Sequence, residues 1–285
     1  MTTGQSKEFE FIESLAKELS SKSLVFPTSL NVTMRIRSAL NAPNSSIEKV
    51  AHIVGAEPVL SAHLLRLANS AAMNLSGKPV TDLHSAIPRL GYALVRNVAI
   101  SVGMRQLSQS TPQGGMQPRV EKLWNHSILV AALSYVLAKK LTWLNPDEAM
   151  LAGLLHDIGA FYILTRAKNY PDLFTDEAAL EDIVYQWHTE IGQAILQSWE
   201  IPEEIAATAR DHELFDRVHY GPADLTDLVT VANVLANQST PGAPDAMDWQ
   251  SAPSAFARLE LDADTCATVM RESEEEMKQV TLALG

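Results

Sequence analysis

Gly153-Leu154-Leu155-His156-Asp157-Ile158-Gly159 is the stretch from which the rest of this 285-residue chain is read. An apolar helix pattern ends in an adjacent His–Asp pair and runs into a glycine. Neighbouring helix residues point about 100° apart, at roughly 3.6 residues per turn. One metal ion beside that helix end can still touch both side chains, because an imidazole nitrogen and a carboxylate oxygen reach different distances. The dipeptide alone is weak evidence. Further histidines at helix-like positions, His126, His188 and His212, add to it. Each alone reads as a hydrogen-bonded, partly buried histidine; together they look like the remains of a metal cluster.

The composition bounds what such a cluster can serve. A 46% hydrophobic share supports a packed core without staples. The single cysteine, Cys266, excludes an internal disulfide and zinc sites built on cysteine pairs, and it fits a reducing compartment. A formal net charge of −12 argues against general binding to nucleic-acid backbones. Arg35, Arg37, Arg89, Arg96 and Arg105 read as solvated helix charges rather than a basic patch. The polar, acidic N-terminus is no signal peptide. No apolar run approaches the roughly 20 residues of a membrane helix. The expectation is a soluble, cytoplasmic protein.

Almost every periodic segment repeats at three and four residues, the helical signature. The first stripe is Ile12, Leu15, Ala16 and Leu19; the second is Val32, Ile36, Ala39 and Leu40. Ser45 and Glu48 have capping-box spacing before a short helix with Ile47, Val50, Ala51 and Val54 inward. Glu57-Pro58 opens another helix, closed by Asn69-Ser70, which read as a structural cap. Gly91 ends a short helix through Leu90. Asn145-Pro146-Asp147-Glu148 starts the helix that delivers His156 and Asp157, with acids suited to its dipole. The helix from Leu225 to Ala236 carries Asn233. Cys266, Val269, Met270 and Met277 mark one last acidic helix, with Ser273–Glu276 as its solvated face. There is no β-alternation, glycine-rich phosphate loop or G-x-S-x-G elbow. The fold class is all-α. The segments are an N-terminal helix over 1–23, a helical half over 24–107, a connecting loop over 108–118, a second helical half over 119–238 and a C-terminal helical extension over 239–285.

These words together resemble the HDOD domain, the HD-related output domain of bacterial signalling proteins. In the first half they are Phe26-Pro27, Ile47–Val54, Glu57-Pro58-Val59-Leu60, Leu64–Ser70, Ala86-Ile87 and Leu90-Gly91. The second half adds Leu123-Trp124-Asn125-His126-Ser127, the His156-Asp157 stretch, His188-Thr189-Glu190-Ile191-Gly192, Trp199-Glu200-Ile201-Pro202 and His212. The likeness spans roughly Leu24 to Ala236. It implies an HD-superfamily-like helical domain with an additional N-terminal helical layer. HDOD domains resemble metal phosphohydrolases in fold but are generally regarded as regulatory, without established catalysis.

Carried over from catalytic relatives, the metal positions are His126, His156, Asp157, His188 and His212. The sequence departs from the pattern twice. Asn233 stands where the resemblance implies a later aspartate, and an amide offers no charge to a hard cation. Ala160 stands where cyclic-dinucleotide phosphodiesterases of the HD-GYP type carry a lysine, a cation that steadies phosphate. The expectation is therefore a signal-transduction module without catalysis, acting on protein partners. The alternative is an HD-type metal-dependent phosphohydrolase of a nucleotide or cyclic dinucleotide, with His126, His156 and Asp157 on one metal and His188 and His212 completing a second. The ion would be divalent iron, manganese, zinc, nickel or magnesium. A third reading is redox or gas sensing through iron at the same histidines.

Overall fold

A computed structural model describes residues 3–20, 36, 38–40, 42, 46–70, 73–74, 77–109, 116–167, 170, 177–239, 248–249 and 251–285. Fourteen helices are delimited among the described residues, and no strand. They are α1 (Thr3–Ser20), α2 (Ile47–Gly55), α3 (Pro58–Ala68), α4 (Leu83–Leu90), α5 (Tyr92–Gln109), α6 (Met116–Leu141) and α7 (Pro146–Leu155), followed by α8 (Ile158–Ala167), α9 (Glu177–Ser198), α10 (Glu203–Asp211), α11 (Leu225–Gln238), α12 (Ser254–Arg258), α13 (Ala263–Glu272) and α14 (Glu274–Leu284). The chain is all-α. Among the described residues no helix is long and apolar enough to cross a membrane. Two compact units form: Met1–Val25 with Thr111–Met277, and Phe26–Ser110 with Lys278–Gly285.

The first unit is built on α7 and α8. Every residue from Ala149 to Leu155 is buried, and so is every residue from Ile158 to Thr165. A helix apolar on all sides belongs inside a core rather than on it, and each buried leucine there contributes about 1.5–3 kcal/mol. Asn145 starts α7, its side chain accepting from the Asp147 amide at 3.0 Å, with Pro146 at the first helical position. The α6 helix packs on α7 and α11, and α9 packs on α8 and α10. Two close approaches set these crossings. A Cβ on Gly153 would lie 2.8 Å from the Val130 carbonyl oxygen, and one on Gly159 would lie 2.0 Å from the His188 carbonyl oxygen. Only glycine lets these backbones come so near. The His156-Asp157 junction therefore sits in the middle of the core.

The N-terminal helix α1 lies in the same unit, and its anchor differs from the expected stripe. Phe11 and Leu15 are buried, Ile12 is half-buried and Ala16 is exposed. Phe11 meets the Tyr170 ring edge-on at 5.1 Å, so the larger ring rather than the smaller aliphatics fixes the helix rotation. Glu18 accepts from Tyr162 and pairs with Arg166 on α8.

In the second unit, Ile36, Leu40, Val50, Val54, Leu64, Ile87 and Val98 share one core with Ala283 of the C-terminal segment. Val32, Phe26-Pro27 and Ser45 lie outside the described residues. The cap of α2 is Ser46, whose hydroxyl accepts from the Lys49 amide at 3.2 Å. Asn69 is a structural clamp: its amide donates to the Val80 carbonyl at 2.7 Å and accepts from the Val80 amide at 2.8 Å. Gly91 closes α4 at φ 79°, in the left-handed region. Arg89 is held by the Asn74 side chain at 2.8 Å.

Two helix boundaries depart from the spacing pattern. Helices run into the 108–118 stretch from both sides, since α5 reaches Gln109 and α6 starts at Met116; Pro118 is tolerated because it falls in a first turn, where amides lack helical partners. The last acidic helix is two helices, broken at buried Ser273. Glu274, Glu275 and Glu276 form the first turn of α14, where negative charge favours the dipole.

Candidate metal centre

Four helix ends and faces of the first unit aim imidazoles at one carboxylate. His156 caps the C-terminus of α7 and Asp157 precedes the first residue of α8. His126 comes from the middle of α6, His188 from α9, and His212 caps α10. The Nε2 atoms of His156 and His126 lie 3.2 and 3.9 Å from Asp157 Oδ2. Those of His212 and His188 lie 3.6 and 3.7 Å from Asp157 Oδ1. Neighbouring rings stand 4.9–5.4 Å apart, His126 beside His156, His156 beside His212 and His212 beside His188. All five residues singled out in the sequence are thus brought together around Asp157.

The backbone fixes which nitrogen faces inward. His156 Nδ1 lies 2.7 Å from the Gly153 carbonyl, His188 Nδ1 lies 2.9 Å from that of Val184, and His212 Nδ1 lies 3.1 Å from that of Thr208. A carbonyl only accepts, so each of these Nδ1 atoms carries a proton, and each Nε2 presents a lone pair when its ring is neutral. Thr230 of α11 in turn donates to the His212 carbonyl at 3.1 Å. This is the arrangement by which outer hydrogen bonds orient metal-binding histidines.

The electrostatics follow. Burial, then the charge on His156, push His126 down to about 4 and His212 to about 3. Both rings are neutral at pH 7. Burial also opposes charge on His156, but the Asp157 carboxylate outweighs it and raises this histidine. Burial opposes the Asp157 carboxylate too, yet the surrounding imidazoles, His156 first, hold it well below the usual range. With His156 protonated, that proton balances the carboxylate; with His156 neutral, its lone pair also faces Asp157 and a metal cation fits there instead. His156 Nε2 is buried without a hydrogen-bond partner, which marks the place. Two overlapping groups can each hold an ion: His126, His156 and Asp157, and Asp157, His188 and His212. Imidazole nitrogens with one carboxylate fit a first-row transition metal better than magnesium, which prefers oxygen.

Asn233 on α11 is buried within hydrogen-bonding reach of His126, and its carbonyl accepts from Asn237 at 3.3 Å. Glu213 is the residue that reading the sequence missed. Its Oε1 lies 3.7 Å from His188 Nε2, and burial raises its carboxyl above the usual value. A signal existed, because His212-Glu213 repeats the histidine–acid pair at a second helix end. The cluster opens into a cavity of about 990 Å³ with Leu129, Ala160, Leu164 and Val184 among its walls.

The HDOD domain profile matches residues 26–215, two thirds of the sequence. The chain belongs to the HDOD domain family. A solved structure of a candidate metal-dependent phosphohydrolase from Shewanella amazonensis SB2B is similar to this HDOD protein, with a TM-score of 0.72 and 25% identity, over 98% of this chain and all of that one. An HDOD domain protein of unknown function from Geobacter sulfurreducens superposes with a TM-score of 0.65 at 25% identity, over 95% of this chain and 96% of the other. A candidate signal transduction protein from Marinobacter aquaeolei VT8 shares the fold at 18% identity and a TM-score of 0.62, over 98% of this chain and 66% of that one. An uncharacterized protein of Treponema pallidum (strain Nichols) is 27% identical over 218 residues, 70% of this chain. The match spans 40% of that relative's length.

Proposed function

We propose that this HDOD protein is a cytoplasmic signalling module that holds a divalent transition metal at His126, His156, Asp157, His188 and His212 and acts on a protein partner without turnover. The observation that carries the metal is the convergence of four imidazole Nε2 atoms on the two oxygens of one carboxylate, within 3.2–3.9 Å. A bound ion would supply Lewis acidity. The chain's own residues then decide whether that acidity is used. Asn233 brings no charge beside His126, and Ala160 places a methyl group in the cavity wall where a phosphate-steadying cation would serve hydrolysis. Both features favour holding a ligand over cleaving it.

The second reading is an HD-type phosphohydrolase of nucleotides or cyclic dinucleotides. The open cavity beside the cluster favours it, since a purely structural ion needs no access. One set of measurements separates the two. Elemental analysis of purified protein is expected to find transition metal in the wild type and less than about a tenth of it in Asp157→Ala, given the loss of the one charged ligand shared by both groups. Asn233→Asp is expected to raise metal affinity. Metal-free wild-type protein after growth with added manganese, iron and zinc rejects the metal. Metal-dependent cleavage of cyclic dinucleotides, abolished in His156→Ala, replaces the first reading by the second.

A further inference from the structure

We propose that the cavity bounded by α12, α13 and the end of α6 is a second binding site, which takes a small carboxylate with an apolar chain on the guanidinium of Arg258. The cavity measures about 600 Å³ and shares no lining residue with the one beside the histidines. That size encloses a small organic molecule. Its walls from Arg258 onward lie beyond residue 215, where the match to the family profile ends. Arg258 is the first argument. Its side chain is only 22% exposed, and its Nε is buried without a hydrogen-bond partner. Asp227 Oδ1 stands 4.0 Å from that Nε, too far for a hydrogen bond. Asp227 is already engaged by His219, Arg217 and the Asp224 amide. A guanidinium carries five donors in a planar fork, and among the described residues none of those of Arg258 meets an acceptor. Donors left unmade in a mostly buried group are costly. A carboxylate matches the fork with two parallel hydrogen bonds.

The rest of the lining sets what the carboxylate carries. The other cationic side chain there, Lys140, is paired with Glu272 at 3.4 Å, so Arg258 is the anchor. Buried Leu259 and Leu261, with Leu141 and Val269, offer a wall to a hydrocarbon chain. Glu260 and Asp264 line the same cavity as exposed carboxylates. The turn after α12 brings Glu260 there: its φ is 55°, and the Leu261 amide returns to the Phe256 carbonyl at 2.9 Å. One free cation beside two acids disfavours a doubly charged anion such as phosphate and suits a single negative charge. An ammonium on the same molecule would find Glu260 and Asp264. The shared chemistry is therefore a carboxylate on an apolar chain, and its two sources are simple carboxylic acids and amino acids.

The test uses the full chain with chelator present, so that the histidine cluster plays no part. It is titrated calorimetrically with L-phenylalanine, with 3-phenylpropanoate, which lacks the ammonium, and with 2-phenylethylamine, which lacks the carboxylate. The two carboxylates are expected to bind with dissociation constants of about 1 mM or tighter, and the amine not to bind. Arg258→Gln should weaken both carboxylates by about tenfold or more, and Arg258→Lys, which keeps the charge but not the fork, should recover only part of that loss. Because Arg258 also stands beside Asp227, a second variant leaves it in place: Thr268→Trp fills the cavity from the α13 wall and should abolish binding. Phenylalanine binding more tightly than 3-phenylpropanoate assigns the site to amino acids through Glu260 and Asp264; equal or reversed order assigns it to simple carboxylic acids. Neither carboxylate binding to the wild type at about 10 mM overturns the proposal. So does affinity undiminished in Arg258→Gln or in Thr268→Trp.

Discussion

Among the described residues of the first unit lie two histidine–carboxylate clusters, and both bring three ligand atoms within 4.8 Å of one another. Around Asp157 the neighbours are four imidazole Nε2 atoms, and no guanidinium or backbone amide is among them. Around Asp227 a guanidinium and a backbone amide donate. His219 Nε2 lies 2.8 Å from Asp227 Oδ2, which also accepts from the Asp224 amide at 3.1 Å. Arg217 donates to both Asp224 oxygens at 3.0 and 2.6 Å. Asp224 and Asp227 exchange side-chain and backbone hydrogen bonds as the capping box of α11. The same residue types therefore serve opposite ends. One cluster is already neutralised by a guanidinium and a helix N-terminus and holds the fold. The other turns imidazole nitrogens toward a carboxylate and is balanced by a proton on His156 or by a metal cation among them.

The sharpest way to break this contrast is Gly159→Ala. Its Cβ would sit 2.0 Å from the His188 carbonyl oxygen and 2.6 Å from the Gly192 amide nitrogen, both backbone atoms. Helices α8 and α9 must then part, taking His188 away from Asp157. We expect a loss of about 3 kcal/mol or more in denaturant unfolding, and metal content cut by at least about half in whatever folds. A variant with wild-type midpoint and full metal would show that the crossing does not set the site.

Removing the ion comes next in size. An ion present at about 100 times its dissociation constant stabilises the native state by about 2.7 kcal/mol. Chelation should therefore lower the melting temperature by roughly 5–10 °C. In Asp157→Ala the chelator should shift nothing. An equal shift in that variant would place the stabilising ion elsewhere, with the Asp227 cluster as the first suspect.

Much of this was readable in the chain because it is local. The unbroken apolar run before His156, the Asn145-Pro146 start and the spacing of the histidines all encode helices, and α7 starts and ends where that pattern puts it. What was not readable depends on the crossing of distant helices. Nothing near Gly159 in sequence reveals the His188 carbonyl against it. Ser45 and Ser46 are equivalent on paper, and the geometry that makes Ser46 the cap is a backbone angle. In the Ser273–Glu276 run Glu274 and Glu275 are exposed as a solvated face would be, but the break at Ser273 also makes these acids a helix start. Asp227 carries no signal in the sequence, since its partners Arg217 and His219 belong to a loop without periodicity.

The smallest expected effect tests the satisfied cluster. Arg217→Ala leaves Asp224 without its guanidinium, and because this pair is partly exposed the loss at pH 7 should be only about 1–2 kcal/mol. Burial raises the Asp224 carboxyl, but the Arg217 hydrogen bond and the Asp227 amide outweigh it and lower it overall. A lowered folded value means that the unfolded chain binds the proton first as the pH falls. The contribution is therefore fully present above the unfolded value of about 3.9 and lost as pH drops through the lower folded one. The gap between wild type and Arg217→Ala, measured with chelator present so that the other cluster is silent, should stay constant from pH 7 to about 5 and close at lower pH. Metal content should not change. A variant that gains a metal ion at the freed carboxylates would instead show that Arg217 alone separates the two clusters, and that the guanidinium occupies the place of a cation the aspartates could otherwise hold.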